Sequence, residues 1–305
     1  MSTNDPSCCP CHNYHELKDE DIPLLKKYLD LAQYEESNHN LVNLIMWRDY
    51  FPLWINPQEH YLSLIGKHLN KWFMYMPLCE PGYFEEAVVK TEECFRSTNT
   101  PFMMSCYTEQ NALRALKAIP ELEMIEDRDG FDYVYETEKM RTFAGKKLQK
   151  KRNHLNAFYK ENEGHWVYED ITPDNIPEVK EFLVNWRLDD PDEFLKEEKK
   201  GINEVFRLWE VLPCKGGLIR IDGKIVAFEI GSRTSVRMGQ SNIEKADPNV
   251  RGAYQAILKE FIERHFKDLE YLNREDDMGL ESLRHAKEAL APCFMIKKYR
   301  LEIKK

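Results

Sequence analysis

Glu244, Arg251, Gly252 and the run Asn273, Arg274, Glu275, Asp276, Asp277 are the residues whose types and spacing could do chemistry in this chain. They fall in IEKADPNVRGAYQ (Ile243 to Gln255) and YLNREDDMGLESLRHAK (Tyr271 to Lys287), which follow the hairpin GGLIRIDGKIVAFEIG (Gly216 to Gly231). Taking a proton from an amine requires a carboxylate with raised proton affinity, and crowded acids raise one another's. Glu244 is the first candidate for that base or for an amine-binding group; Glu275 and Asp276 come second. Arg251, Arg274 and Arg284 could neutralise anionic groups, and the backbone N–H groups of Gly252 and Ala253 could hold an oxyanion or a phosphate. Lys245, Tyr254, Asn273, Asp277 and Lys287 complete the contacts available to a substrate from these two stretches. A purely structural explanation competes: Glu244 with Lys245, and Arg274 with Asp277 or Arg284, could be buried ion pairs that only fix the loops.

The elements that must position these groups are legible. Gly217 to Ile221 and Ile225 to Ile230 are β-branched and apolar, and Asp222-Gly223 supplies the positive φ angles of a two-residue turn. A third strand is expected over Ser235 to Ile243. Pro248, Arg251 and Gly252 then precede a segment whose Tyr254, Ile257, Leu258, Phe261 and Ile262 fall on one helical face. The positive end of that helix favours an anion, which Arg251 would strengthen. A brief strand near Glu270 to Leu272 and a helix opening near Gly279 follow. Because ligands in open α/β sheets bind beyond the strand C-termini, Glu244 and residues 274–277 should flank one crevice.

GKKLQKKRNHLNAFYK (residues 145–160) carries seven basic side chains or histidines, Lys146, Lys147, Lys150, Lys151, Arg152, His154 and Lys160, with no acid before Glu161. As a helix, Leu148, Leu155 and Phe158 or Tyr159 form its buried stripe and Lys147, Lys150, Lys151 and His154 share another face. That face, with Arg152 and Asn153 beside it, suits phosphates of RNA, a nucleotide or a lipid head group. A solvated linking helix is the competing explanation.

Helices are expected at 21–31, 41–50, 83–96 and 109–116, with strands at 61–65, 72–76, 102–106, 122–126 and 131–135 in the first half. The second half adds a strand at 166–169, helices at 174–186 and 191–211, and a final alternating strand at 293–303. The 305 residues fit two α+β domains, 1–140 and 141–305, joined by the basic helix. A net charge of −10 argues against indiscriminate binding to nucleic acid or anionic membrane. With no apolar run near the ~20 residues of a membrane span and no secretory signal, a soluble cytoplasmic protein is expected. Cys79, Cys94, Cys106, Cys214 and Cys293 read as reduced thiols without a disulfide framework. Cys8, Cys9, Cys11 and His12 are too tightly spaced to wrap a tetrahedral metal, and no histidine pair has a metal-binding spacing, so no metal is expected. No Gly-x-Ser-x-Gly elbow is present, which favours direct transfer over a covalent intermediate.

GKKLQKKRNHLNAFYK, IEKAD-x-x-x-RGAYQ and YLNREDDMGLESLRHAK, together with FDYVYETEKM (Phe131 to Met140) and NLIMWRDYF (Asn43 to Phe51), resemble the signatures of a bacterial family (DUF2156) similar to the C-terminal domain of phosphatidylglycerol lysyltransferase. The resemblance covers nearly all the chain after its first dozen residues. It implies two acetyltransferase-like (GNAT) domains in tandem and kinship with enzymes that move an amino acid from aminoacyl-tRNA to a lipid or peptide amine. Acetyl-CoA enzymes of that fold usually carry Arg or Gln, two residues, Gly, one residue, then Gly or Ala ahead of the central helix. Here Asn249 and the bulky Tyr254 occupy the outer positions, so an aminoacyl ester is favoured over acyl-CoA as donor, with no certain cofactor. Three classes of function remain open: an aminoacyl- or acyltransferase acting on an amine or hydroxyl, a non-catalytic module for a small charged ligand, and an RNA partner using the basic helix, with tRNA as the implied RNA.

Overall fold

The computed structural model describes residues 11–188 and 190–304. Two compact units emerge, and neither is continuous in sequence. Of the described residues, the first comprises 11–34, Trp47–Phe131 and 296–304; the second comprises Glu35–Met46 and those within Asp132–Met295. The contiguous division expected at 140/141 does not coincide with these units, because residues 35–46 and 132–140 pack with the second and residues from 296 with the first.

The first unit is an eight-stranded mixed sheet. Across it run His15–Glu16, Leu53–Pro57, Tyr61–His68, Lys71–Met74, Met103–Thr108, Lys298–Ile303 and Leu122–Glu126, with Leu78–Cys79 beside Tyr61–His68. Helices Phe84–Ser97 and Glu109–Ala118 bury Phe84, Val88, Phe95, Ala112 and Ala115 against Ile65, Met104 and Leu301. Cys11 and Cys94 are disulfide-bonded with their Cα atoms 5.7 Å apart, which overturns the expectation of a reduced thiol at Cys94. Their separation of 83 residues hid the pairing from any local spacing rule. Cys79, Cys106, Cys214 and Cys293 are not disulfide-bonded; Cys8 and Cys9 lie outside the described residues.

In the second unit the strands are β1 (Asp132–Glu136), β2 (Trp166–Asp170), β3 (Cys214–Ile221), β4 (Lys224–Arg233), β5 (Met238–Ala246), β6 (Tyr271–Asn273) and β7 (Phe294–Ile296), arranged β7-β1-β6-β5-β4-β3-β2. The helices are α1 (Leu41–Met46), α2 (Thr137–Thr142), α3 (Gln149–Glu161), α4 (Ile176–Asn185), α5 (Glu193–Arg207), α6 (Ala253–Phe261) and α7 (Glu281–Glu288), and a π-turn (Ile262–Phe266) extends α6. Asp222 and Gly223 take φ of 47° and 80°, as the β3–β4 turn requires. Strand alternation then sorts the faces. Ile219, Ala227 and Ala246 meet Leu155 and Phe158 of α3 and Ala256, Ile257 and Phe261 of α6. On the other face Phe228 packs its ring edge against Phe182 of α4 and tilts against Phe206 of α5.

Two departures from the sequence expectations matter. The third strand runs to Ala246 instead of ending at Ile243, which puts Glu244 inside it. The expected final strand splits at Lys297 into β7 and the first unit's Lys298–Ile303. Among the described residues, no helix is long and apolar enough to cross a membrane.

Candidate functional site

β5 and β6 run parallel but pair only through Met238–Tyr271, Gly239–Leu272 and Gln240–Asn273. β6 stops there, whereas β5 continues to Ala246. The sheet therefore opens between residues 241–246 and 274–277. Arg274 bridges the opening: its Nη2 donates to Glu244 Oε2 at 2.6 Å, with both side chains mostly buried. Burial raises the proton affinity of Glu244, and Arg274 only partly offsets it.

Behind Glu244 stands a residue the sequence expectations missed. Glu229 of β4 is directly opposite Glu244 in the antiparallel register, so both carboxyl groups point to the α3/α6 face. It is fully buried. Its Oε1 accepts from the Ser241 hydroxyl at 2.8 Å, and its Oε2 has no partner. Burial and the neighbouring Glu244 push Glu229 well above the usual carboxylate range. Arg274 gives its ion pair to Glu244. A charged residue at an inward position of an otherwise apolar strand (Val226-Ala227-Phe228-Glu229-Ile230) was the available signal.

Glu275 occupies the far lip of the opening in a left-handed conformation, φ 62°. Its Oε1 accepts from Asn43 Nδ2 and Gln240 Nε2, each at 2.8 Å. Burial lifts its pKa to about 7 despite the nearby Lys287 ammonium and the two amides. Asn43 and Gln240 carry no charge pattern, and residue 43 is distant in sequence, so neither was anticipated as a partner. Asp276 accepts from the Met278 N–H at 3.1 Å. Lys287, half-buried, donates to the Arg274 carbonyl, and burial lowers its pKa.

Several candidates serve the framework. Lys245 faces the opposite side of β5 from Glu244, paired at 2.7 Å with both oxygens of Glu198 and lying 4.4 Å from the Trp186 ring centroid. Asp277 is buried and accepts from Arg284 Nε and Nη2 (both 2.9 Å), Tyr133 Oη (2.6 Å) and the Gly279 N–H (2.9 Å). Burial alone would raise Asp277, but the Arg284 and Tyr133 hydrogen bonds outweigh it and hold the carboxyl well below its ordinary range. Asn273 donates to the Glu35 carbonyl and Asp132. Arg152 turns away to the carbonyls of Phe143 (2.7 Å) and Gly145 (3.2 Å). Asn153 is exposed.

At the start of α6 a cavity of about 260 Å³ is lined by His154, Asn249, Arg251, Gly252 and Tyr254 among others. Gly252 has φ 81°, and a Cβ there would stand 2.1 Å from the His154 carbonyl oxygen, so glycine is what lets α3 and α6 approach. The Ala253 N–H, expected to be free for an anion, donates to the Val250 carbonyl at 3.2 Å. Arg251 is exposed, 3.5 Å from Glu161. Tyr254 is partly buried beside Ala246, Trp186 and Glu244, and burial raises its pKa. The basic helix begins at Gln149, which leaves Lys146 and Lys147 in the preceding turn. Lys150 is exposed, whereas Lys151 is half-buried, its pKa lowered by burial and by Arg274. His154 is likewise lowered, by burial and by Arg251. Among the described residues, no His, Cys, Asp or Glu cluster could hold a metal ion.

Comparison with known proteins adds the lineage. A conserved protein of unknown function from Bacteroides thetaiotaomicron is 27% identical and superposes over 95% of this chain and 99% of its own with a TM-score of 0.89. The L-PGS structure from Bacillus licheniformis is 11% identical over 95% and 93% of the two chains, TM-score 0.71. A tandem GNAT protein from the clavulanic acid pathway, 10% identical over 96% and 98%, reaches 0.50. These likenesses establish an α+β tandem GNAT-like fold. The uncharacterized protein MYCGA3080 of Mycoplasmoides gallisepticum is 29% identical over 201 residues, 63% of this chain and 62% of that protein's length. Residues 30–302 match the family described as phosphatidylglycerol lysyltransferase, C-terminal, and the chain belongs to that family.

Proposed function

We propose that this protein is an aminoacyl- or acyltransferase that moves its group directly from donor to an amine or hydroxyl acceptor in the opening between β5 and β6. The observation that carries this reading is the Arg274–Glu244 bridge across parted strands, backed by buried Glu229. Family membership supports transfer chemistry of this general kind. In the proposed reaction Glu244 takes a proton from the attacking amine, whose nitrogen bonds to the donor carbonyl carbon, and the donor's ester oxygen or thioester sulfur departs with the proton that Glu244 returns to it. Arg274, freed as Glu244 becomes neutral, turns to the negative charge developing on the carbonyl oxygen. No side-chain nucleophile is needed.

An aminoacyl ester is favoured over acyl-CoA as donor, because Tyr254 stands at the motif position that acetyl-CoA enzymes of this fold usually keep small. Exposed Lys150 beside Lys151, with exposed Lys146 and Lys147 in the preceding turn, suits the phosphates of an RNA-borne donor. A thermal-shift panel of aminoacyl-tRNAs, acyl-CoAs, free amino acids and nucleotides tests this, since a ligand that binds the native state raises the melting temperature. Stabilisation by an aminoacyl-tRNA, with product formed by wild type and not by Glu244→Gln, supports the reading. Stabilisation by small ligands without turnover would replace it with a passive binding module.

A further inference from the structure

We propose that Lys151 is a second catalytic cation of the opening and that, with Arg274, it holds the oxygen on which negative charge develops during transfer. This rests on the transferase reading above and assigns one more group to that site.

Leu148, Lys151, Leu155 and Phe158 follow one another at spacings of three, four and three residues, so Lys151 stands in the stripe that α3 turns toward the sheet. Its neighbours in that stripe are buried in the core with Ala227, Ala246 and Ile257. A lysine in this row lies over the face of the sheet to which Glu244 directs its carboxyl. Its side chain is half-buried, and among the described residues its ammonium has no hydrogen-bond acceptor and no ion-pair partner. Arg274, Lys245, Arg284 and Lys287 are each occupied, by Glu244, Glu198, Asp277 and the Arg274 carbonyl. Leaving a half-buried ammonium without an acceptor costs free energy, and a leucine at this position would continue the stripe without that cost.

The charges around Lys151 locate it further. Burial lowers its proton affinity most, Arg274 and then Lys150 lower it again, and Glu244 raises it. The ammonium is therefore near enough to feel both members of the Arg274–Glu244 bridge, and on its own helix it helps to lower His154. Arg274 can turn to a developing oxyanion only after Glu244 has been neutralised, whereas no partner has to release Lys151. As the amine nitrogen bonds to the donor carbonyl carbon, the C=O π pair moves onto oxygen, and Lys151 donates a hydrogen bond to it. The pair returns to re-form C=O as the ester oxygen leaves with the proton from Glu244. Lys151 keeps its own proton throughout.

Two measurements on the full chain test this. Trace acetylation of lysines across pH, read by mass spectrometry, follows the titration of Lys151 without substrate. Its midpoint should move to higher pH in Arg274→Met and to lower pH in Glu244→Gln; a midpoint that ignores both variants overturns the inference whatever the activity. With an aminoacyl-tRNA donor, Lys151→Met should lower kcat by about 10²-fold with little change in KM, and Lys151→Arg should restore part of the loss. Unchanged kcat in Lys151→Met, with weaker and less salt-dependent tRNA binding, would assign this lysine to RNA phosphates and overturn the catalytic role. If wild type transfers from no donor, the transferase reading falls and the role of Lys151 falls with it; if wild type and Lys151→Met turn over equally, only this inference falls.

Discussion

Glu229 and Glu244 face each other from neighbouring strands, and Arg274 binds the second of them alone. Burial raises the proton affinity of both carboxyls, and Arg274 works against the rise at Glu244. Glu244→Gln should therefore lower kcat by about 10²–10⁴-fold with a smaller change in KM. Glu229→Gln should retain more activity than Glu244→Gln, because Arg274 is bonded to Glu244. Equal losses in both variants would contradict this division of labour.

Glu275 gives a pH signature in stability. Its folded pKa of about 7 lies above the ordinary value of 4.5, so the folded state holds this proton more tightly than the unfolded one. The contribution is fully present below about pH 4.5 and is lost as pH rises to about 7, an effect on the order of 3 kcal/mol. In Glu275→Gln, which preserves an acceptor for Asn43 and Gln240, this loss should vanish. Denaturation midpoints across that range check it: the variant's stability relative to wild type should rise with pH.

Gly252→Ala should destabilise the second unit by about 1–3 kcal/mol, since alanine meets both a positive φ and the His154 carbonyl. Urea titration reads the change directly. A neutral result would mean that α3 and α6 are less tightly apposed than described.

Replacing Lys146, Lys147 and Lys150 together with Ala should weaken binding of an aminoacyl-tRNA and lower the steepness of its salt dependence by about one phosphate contact for each lysine engaged. Free amino acid binding should not change. An unaltered salt slope would remove these lysines from the donor's path.

The hairpin, the central helix and the Arg274 to Asp277 turn were legible in sequence because each rests on a local pattern: Asp-Gly, a periodic stripe, a charge run. Glu244 was found despite a misplaced strand end. Lys245 was assigned to substrate because proximity in sequence outweighed the alternation that sends it to the other face of β5. Glu229 was passed over as one acid in an apolar strand, although its meaning depends on register with a residue fifteen positions later. Asn43 escaped notice because its partner Glu275 is 232 residues away. The split of 293–303 between two sheets was invisible for the same reason: alternation marks a strand and says nothing of its neighbours.

Strand Lys298–Ile303 lies between Met103–Thr108 and Leu122–Glu126, hydrogen-bonded to both. During synthesis those flanking strands emerge with a vacant slot between them, which only the residues made almost 180 positions later can fill. The second unit, whose strands are complete by β7, can mature while the first sheet still waits for that strand.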